Sequence, residues 1–353
     1  MKPPSAEKLL TWRQRFGRHD LPWQRRRTPY RVWVSEVMLQ QTQAATVVEP
    51  FGRFMRRFPS IRALAEASLD DVLAEWAGLG YYSRARNLHR SAQIVVERHG
   101  GRLPRDAELL QSLPGIGRSS AAAIRAQAWD IPDAILDGNA RRVLSRVFAL
   151  EGWWGRPEVK RRLWELAESC TPDHSAREYC QAIMDLGATL CRRRNPDCGA
   201  CPWGAECRAR KLGAVHRLPT PAPAKSVPSV HWQLALVFNA KGQVLLQRRE
   251  ETGIWGGLWA PPVLEAEADA ARDCRQKWGL RVKILRRLDA VEHRLTHRRL
   301  VLQPVILRAA GKAKKFDSQA ARWCDLDQTG RLGLPKPLQK LLGALEGDSW
   351  VER

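Results

Sequence analysis

Residues 113–124 read LPGIGRSSAAAI, and this stretch decides the expected fold. Two glycines form a tight turn between a predicted helix at about 105–112 and another at about 118–128. Backbone N–H groups at the start of the second helix can point at an anion, which is a sequence-independent way to hold a phosphate. The stretch predicts a helix-hairpin-helix motif or, alternatively, a plain structural turn. Under the first interpretation, the DNA-contacting residues are Leu113, Gly115, Gly117 and Ser119.

The sequence on both sides of this hairpin indicates further helices. Thr28 and Pro29 supply an N-cap and a first helical residue, and Ser68 begins a helix that Gly78 ends. More helices are expected at about 84–98, 138–149, 157–170 and 176–190. Because residues 1–212 contain no alternating strand pattern, we expect a mainly α domain there.

The pattern changes after residue 212. Residues 213–229 are rich in Pro, Ala and basic residues and lack periodicity, which is typical of an extended linker. A second domain is expected over 230–353, with strands at 231–238, 243–249, 282–291 and 298–309 and helices at about 266–278 and 337–346. The predicted fold class is therefore multidomain: a mainly α domain followed by an α/β (α+β) domain.

The chain is strongly basic. Its 353 residues carry 59 Lys and Arg against 37 Asp and Glu, a net charge of +22. Residues 230–353 hold 22 basic and 14 acidic residues, so they contribute +8 and residues 1–229 contribute +14. Charge distributed over both halves indicates a polyanionic partner. No stretch reaches the ~18 apolar residues of a membrane span, and the N-terminus lacks a signal sequence, so we expect a cytoplasmic, nucleoid-associated protein.

Four cysteines follow the spacing C-x6-C-x2-C-x5-C: Cys191, Cys198, Cys201 and Cys207. Four thiolates this close together can enclose one metal centre, and a reducing compartment disfavours disulfides. The wide outer gaps favour a [4Fe–4S] cluster, while a structural zinc site is the alternative. The remaining cysteines have no ligand spacing and are interpreted as small buried residues: Cys170, Cys180, Cys274 and Cys324.

A carboxylate, Glu36, stands in the otherwise apolar and amide-rich stretch SEVMLQQTQ (35–43). If one helix runs through this stretch, Glu36 shares a face with Val32, Leu39, Gln40 and Gln43. Such a face is typical of a polar ligand pocket, and carboxamides such as that of Gln40 can pair with the edge of a base. The alternative is a solvated helix face.

A second carboxylate, Asp137, lies in AILDGNARRV (134–143), where it can simply cap the following helix. Taken together, the two carboxylates suit the cleavage of an N-glycosidic bond. That reaction needs an acid at the leaving base and a negative group near the positive sugar. Apolar neighbours would keep Glu36 protonated, while a helix N-terminus would keep Asp137 ionised.

A series of motifs in this order resembles the adenine DNA glycosylases of the MutY type, which belong to the helix-hairpin-helix superfamily. The motifs are LPWQ (21–24), TPYRVWVSEVMLQQTQ (28–43), GLGYYSRARNLH (78–89), LPGIGRS (113–119), ILDGN (135–139), MDLGA (184–188) and the four cysteines. The resemblance extends over nearly the whole chain. It implies a DNA repair enzyme whose substrate is adenine opposite 8-oxoguanine or guanine in double-stranded DNA, and we expect it to act as a monomer.

The resemblance also implies roles for individual residues. Glu36 matches the acid that protonates the adenine, Asp137 the aspartate that stabilises the oxocarbenium-like sugar, and Asn139 the asparagine that helps orient the site. Gln41 and Tyr81 match residues that wedge into the duplex, where they fill the space left by the flipped adenine. Trp23 lies in a matching pocket segment, and the four cysteines match the [4Fe–4S] ligands.

Ser119 separates two kinds of glycosylase. Relatives similar to endonuclease III carry a lysine there, whose amine attacks the sugar and leads to strand cleavage. Serine cannot form a Schiff base, so we expect a monofunctional enzyme that leaves an abasic site. Arg141 stands where the family often has a lysine that forms an incidental adduct, so trapping with borohydride should be weak.

The second domain resembles a Nudix fold, since QVLLQRR and GIWGGLWAPPV (253–263) fit its early strands. A Nudix hydrolase binds Mg²⁺ through an R-E-x-x-E-E-type helix, but the corresponding stretch here, 272–277, reads RDCRQK and lacks those carboxylates. The domain is therefore expected to recognise the 8-oxoguanine strand rather than to hydrolyse nucleotides. The family's Phe-Ser-His loop is matched by Leu295, Thr296 and His297.

Two other functions remain alternatives from sequence. One is an endonuclease III-like glycosylase and lyase that acts on oxidised pyrimidines. The other is a nucleotide pyrophosphohydrolase that acts through the second domain, which the missing carboxylates disfavour.

Overall fold

The computed structural model describes residues 2–223, 226–310 and 320–346. Two linker residues, 224 and 225, and residues 311–319 and 347–353 of the expected second domain lie outside the described residues. The chain forms two compact units. The first comprises Met1–Glu66 and Asn87–Ala224, and the second comprises Ala67–Arg86 and Lys225–Arg353. The short segment 67–86 thus belongs to the second unit, which the sequence pattern does not predict.

In the described part of the chain, thirteen α-helices precede the first strand. They are α1 Ala6–Phe16, α2 Pro22–Arg25, α3 Pro29–Leu39, α4 Ala44–Arg57, α5 Ile61–Glu66, α6 Leu69–Glu75, α7 Ser83–His99, α8 Ala107–Gln111, α9 Arg118–Trp129, α10 Gly138–Val147, α11 Pro157–Cys170, α12 Ala176–Thr189 and α13 Arg208–Lys211. These bounds confirm the helices predicted on both sides of the hairpin. Side-chain caps set the starts of α3 and α6. Thr28 Oγ1 accepts from Arg31 N–H at 3.3 Å, and Ser68 Oγ accepts from Asp71 N–H at 3.1 Å.

The predicted continuation of one helix through residue 43 is wrong. Helix α3 ends at Leu39, and Gln41 has a left-handed backbone with φ of 58°. A left-handed residue cannot continue a right-handed helix. Gln43 is instead the N-cap residue of α4, so Gln40 and Gln43 do not share a helix face with Glu36.

The core of the first unit is built on the nearly all-buried helix α12. Its side chains pack with those of α1, α9, α10 and α11, and they include Tyr179, Ile183 and Leu186. Trp203 is fully buried in the same cluster, and its indole N–H donates to the Ser5 carbonyl at 2.8 Å. Burial of this apolar surface fixes the elements that carry the candidate site.

The second unit is organised around a mixed sheet of eight strands among the described residues. Its main path is β3-β2-β1-β7-β5. The strands are β1 Ser229–Phe238, β2 Val244–Arg248, β3 Trp259–Ala260, β4 Val263–Glu265, β5 Val282–Arg287, β6 Val291–Arg294, β7 Arg299–Ala309 and β8 Ala321–Cys324. Strands β1 and β7 are parallel, with Ser229 opposite Arg299 and Phe238 opposite Arg308. The helices are α14 Ala270–Trp278 and α15 Lys336–Gly343. The multidomain α and α/β fold class is thereby confirmed.

Within the residues that the structure describes, no helix is both long enough and apolar enough to cross a membrane.

Candidate active site

Glu36 and Asp137 face the same open cavity in the first unit, although they are about 100 residues apart in sequence. The cavity has a volume of about 730 Å³. Helix α3 supplies Glu36, and the start of helix α10 supplies Asp137 and Asn139. Trp23 also lines the cavity, and its ring packs edge-on against Phe51 at 5.6 Å between centroids. Gln41 lines the cavity as well, so the structure brings together five of the predicted site residues.

The environment of Glu36 favours its protonated form. Burial, and to a smaller extent the nearby Asp137 carboxylate, together raise the pKa of this carboxyl to about 8. The side chain is only partly exposed, and what it exposes faces the cavity. Near neutral pH, Glu36 therefore holds a proton that it can donate to a group in the cavity.

Asp137 is held by the start of helix α10. Its Oδ1 accepts from Ala140 N–H at 2.7 Å, which makes it the N-cap, and its Oδ2 accepts from Asn139 Nδ2 at 3.1 Å. These two hydrogen bonds fix the orientation of the Asp137 carboxyl at the start of the helix. The cap interpretation and the functional interpretation of Asp137 are thus compatible, because the residue caps α10 and also lines the cavity.

The loop after α3 corrects the interpretation of the glutamines. Gln41 and Gln43 line the cavity, whereas Gln40 does not. The amide of Gln40 instead donates to Ser120 Oγ at 3.1 Å and to the Gly115 carbonyl at 3.4 Å. Gln40 therefore forms hydrogen bonds with the hairpin and the start of α9 and does not line the cavity.

Several cavity residues were not identified from the sequence. Arg18 and Gln181 line the cavity and both bind Asp185, which is fully buried. Arg18 donates through Nε to Asp185 Oδ1 at 2.8 Å, and Gln181 Nε2 donates to the same oxygen at 2.8 Å. The motif MDLGA could have indicated that such partners exist, because an Asp on a buried helix needs charged or amide partners.

The hairpin has the geometry that its sequence predicts. Gly115 has a φ of +81°, and a Cβ there would lie 2.9 Å from Asn87 Cβ, so both the backbone and the space require glycine. Gly117 is the N-cap of α9, and Leu113 is buried. Ser119 Oγ accepts from Leu136 N–H at 3.0 Å, which ties the start of α9 to the residue before Asp137.

The four predicted cluster ligands line one small cavity of about 20 Å³: Cys191, Cys198, Cys201 and Cys207. The wall includes Gly204, where a Cβ would come within 2.8 Å of the Cys198 carbonyl. Arg146 Nη1 lies 3.3 Å from Cys191 Sγ, and Cys207 Sγ donates to the Arg146 carbonyl at 3.4 Å. Across the described ranges, no group of three or more metal-binding side chains is already arranged around one ion. The four cysteines thus converge on one cavity.

The predicted recognition residues of the second unit line a separate cavity of about 680 Å³, which includes Tyr81, Thr296 and His297. The hydroxyls of Tyr81 and Thr296 are 2.7 Å apart and share a hydrogen bond. Tyr81 has a left-handed backbone with φ of 48° and is 43% exposed. Leu295 packs against the apolar core of the sheet, so in this structure it anchors the loop.

The helix that would carry a Nudix metal site is α14. Its residues 272–277 lie within Ala270–Trp278, and its one acid in this stretch, Asp273, pairs with Lys277 at 3.2 Å. The ligands for a hard divalent cation are therefore missing from this helix.

Two family models match the chain. One is described as HhH-GPD superfamily base excision DNA repair protein and matches residues 34–169. The other is described as NUDIX domain and matches residues 233–344. A helical unit with the hairpin and an acid-lined cavity, together with a Nudix sheet, defines a class of DNA glycosylases that work in base excision repair.

Known proteins are similar to almost the whole chain. The adenine DNA glycosylase of Buchnera aphidicola subsp. Baizongia pistaciae is 33% identical over 336 residues, which cover 95% of this chain and 94% of that protein. The adenine DNA glycosylase of Homo sapiens is 33% identical over 401 aligned residues, with 96% of this chain and 73% of that protein covered. A solved thermostable thymine-DNA glycosylase matches with a TM-score of 0.54 and 28% identity, over 59% of this chain and 95% of that chain. The chain belongs to the adenine DNA glycosylase family.

Proposed function

We propose that this enzyme removes adenine that is mispaired with 8-oxoguanine, or with guanine, in double-stranded DNA. Glu36 is the acid and Asp137 stabilises the sugar cation. One observation carries the proposal: a carboxyl with a pKa raised to about 8 and a second, helix-capping carboxylate line the same cavity. The basic charge of the chain, +22, suits the polyanionic substrate.

The chemistry follows from the two environments. An adenine rotated out of the duplex would enter the cavity, where the protonated Glu36 donates a proton to the ring and makes it a better leaving group. As the bond between base and sugar breaks, positive charge develops on the sugar, and the carboxylate of Asp137 stabilises it. Asn139 holds that carboxylate through its hydrogen bond to Oδ2. Water then completes hydrolysis and leaves an abasic site.

The remaining predicted contacts have separate roles. Trp23 and Gln41 border the flipped base, and the hairpin of Leu113, Gly115, Gly117 and Ser119 holds the DNA backbone. Gln40 acts indirectly, through its bonds to that hairpin. Tyr81, Thr296 and His297 form the recognition surface for the 8-oxoguanine strand. We further propose that a single copy of the chain acts on each lesion.

The four thiols would hold a [4Fe–4S] cluster. Their convergence on one cavity, with a wall that only glycine fits at residue 204, supports this assignment. The cluster would fix the loop 191–207 and does not take part in base release. Iron and sulfide analysis of the purified, brown protein checks this assignment. A colourless protein with one zinc would contradict it and favour the alternative metal.

A substitution tests the role of Glu36. The Glu36→Gln variant keeps the shape of the side chain but cannot donate the carboxyl proton. We expect binding to a duplex with adenine opposite 8-oxoguanine to survive, while single-turnover base release falls by about 10²-fold or more. Glu49→Gln is the matched control, because Glu49 lies on the exposed face of α4. Equal activity in Glu36→Gln and wild type would refute the assignment.

A further inference from the structure

A second cavity of the first unit lies beside the start of helix α9, where Gly117 and Ser119 of the hairpin line it, and Glu36 and Asp137 do not. It has a volume of about 730 Å³. Helix α11 and the segment before it form the opposite wall, where Trp154 and Trp164 lie. We name this cavity the tryptophan groove. It shares one lining residue, Arg141, with the Glu36 cavity, so the two cavities are neighbours on either side of that side chain.

Two arginines are stacked on the tryptophans of this groove. The guanidinium carbon of Arg118 lies 3.9 Å from the ring centroid of Trp164, and that of Arg141 lies 3.8 Å from the ring centroid of Trp154. Stacking orients a planar guanidinium and leaves its edge N–H groups able to bind an oxyanion. Lys160 and Arg161 also line the groove. Several cationic groups along one groove are better suited to bind a row of phosphates than to bind a single small ligand.

One of these arginines is already bound to an anion. Arg118 makes an ion pair with Glu168 of α11, and both side chains are about half exposed, at 53% and 52%. An exposed pair of this kind contributes little to stability and exchanges readily. A phosphate oxygen offers Arg118 the same charge-assisted hydrogen bonds as a carboxylate oxygen does. Glu168 therefore occupies the position on Arg118 that a phosphate can take.

We propose that the tryptophan groove binds the phosphate backbone of the DNA strand flanking the target nucleotide, and that Glu168 is an internal competitor for Arg118. In the free enzyme Glu168 neutralises Arg118, and in the complex a phosphate displaces it. The competitor lowers the affinity for ordinary duplex DNA. This inference rests on DNA being the substrate, as proposed above, but not on the roles of Glu36 and Asp137.

The test compares single and double variants in binding to an undamaged duplex, which separates it from any failure of base excision. Glu168→Gln should bind about three- to tenfold more tightly at low salt. The slope of log K against log salt should steepen by up to about 0.9, because no freed carboxylate remains beside the phosphate to retain a cation. Glu158→Gln, the same charge change on an exposed residue of α11 outside the groove, should change affinity less than twofold.

The double variant distinguishes a local exchange from general charge. Arg118→Gln should weaken binding about three- to tenfold, and more than Arg162→Gln, which removes a charge from α11 outside the groove. In the Arg118→Gln background, Glu168→Gln should increase the binding affinity no more than Glu158→Gln does. Thermal unfolding establishes that each variant is folded. Equal effects of Glu168→Gln and Glu158→Gln, or additive effects of the Arg118 and Glu168 substitutions, would overturn the proposal.

Discussion

At the scale of single residues, the proposed base release depends on the protonation of Glu36. The sequence shows a Glu among apolar residues and amides, which allows either a solvated face or a pocket. The structure places it in a partly closed cavity beside Asp137, where burial and the neighbouring charge both favour its neutral form. Its chemistry therefore depends on the fold and not on helical periodicity alone.

The pH dependence of base release follows from this environment. Glu36 acts as an acid only while it is protonated, and its pKa is raised to about 8. We expect single-turnover base release to stay high near neutral pH and to fall about tenfold per unit above pH 8. A decline centred near pH 4.5, the ordinary value for Glu, would show that the cavity does not shift this pKa.

The same pKa shift predicts a change in stability. Because the folded-state pKa of Glu36 is raised, the free energy of unfolding falls as pH rises from about 4.5 to about 8. Over this range, ionisation of the carboxyl is less favourable in the folded state than in the unfolded state. Glu36→Gln removes that cost, so its unfolding free energy should exceed that of wild type by up to about 4 kcal/mol above pH 8. This is an upper value, because the carboxylate faces a wet cavity. At pH 4 the two proteins should be equally stable. Unfolding at both pH values measures the difference.

The positions of Gln40 and Gln43 could not be predicted from the local sequence. Periodicity placed Gln40 and Gln43 on one face with Glu36, but the helix ends at Leu39 and Gln41 turns the chain. Neither Gly nor Pro marks that end in the sequence. The left-handed residue is an exposed glutamine, and the fold, not local propensity, holds it there.

At the scale of elements, side-chain caps made the starts of several helices predictable. Thr28, Ser68 and Asp137 each cap the helix that their sequence context predicts. Strands β1 and β2 lie close to the strands predicted at 231–238 and 243–249, and the hairpin was predicted from its glycines. The pairing of β1 with β7 in parallel, across about 60 residues, required the tertiary structure.

Contact between helices α12 and α10 predicts the effect of one added methyl group. Gly187 lies in α12, and a Cβ there would be 2.6 Å from Asn139 Cβ. Gly187→Ala should therefore displace Asn139 and the carboxylate it holds, with a loss of base release of up to about 100-fold. Gly52→Ala, in helix α4, is the control, because its nearest contact is at 3.6 Å. Alanine there should stabilise the protein by about 0.5–1 kcal/mol and leave activity unchanged. Similar kinetics for both variants would contradict this account.

At the scale of the whole molecule, the order of motifs indicated the family and the two kinds of fold. It did not indicate that residues 67–86 belong to the second unit. That assignment depends on tertiary contacts: Asp70 binds Arg248 and accepts from the indole N–H of Trp259 at 3.2 Å. Nothing in the local sequence of a short helix such as α6 specifies partners nearly 180 residues away.

The second unit should not hydrolyse nucleotides. Helix α14 lacks the carboxylates that would bind a divalent cation, and Asp273 is paired with Lys277. We expect no pyrophosphate release from nucleoside triphosphates in the presence of Mg²⁺. Metal-dependent release that survives Glu36→Gln would show that the second unit has an activity of its own.

The most direct test of the central claim uses the wild-type enzyme and a duplex with one adenine opposite 8-oxoguanine. After incubation, hot alkali should cut the strand at that adenine. Without alkali the strand should stay intact, because Ser119 cannot form a Schiff base with the sugar. A cut without alkali, or cuts only at oxidised pyrimidines in a matched duplex, would contradict the account and favour an endonuclease III-like activity.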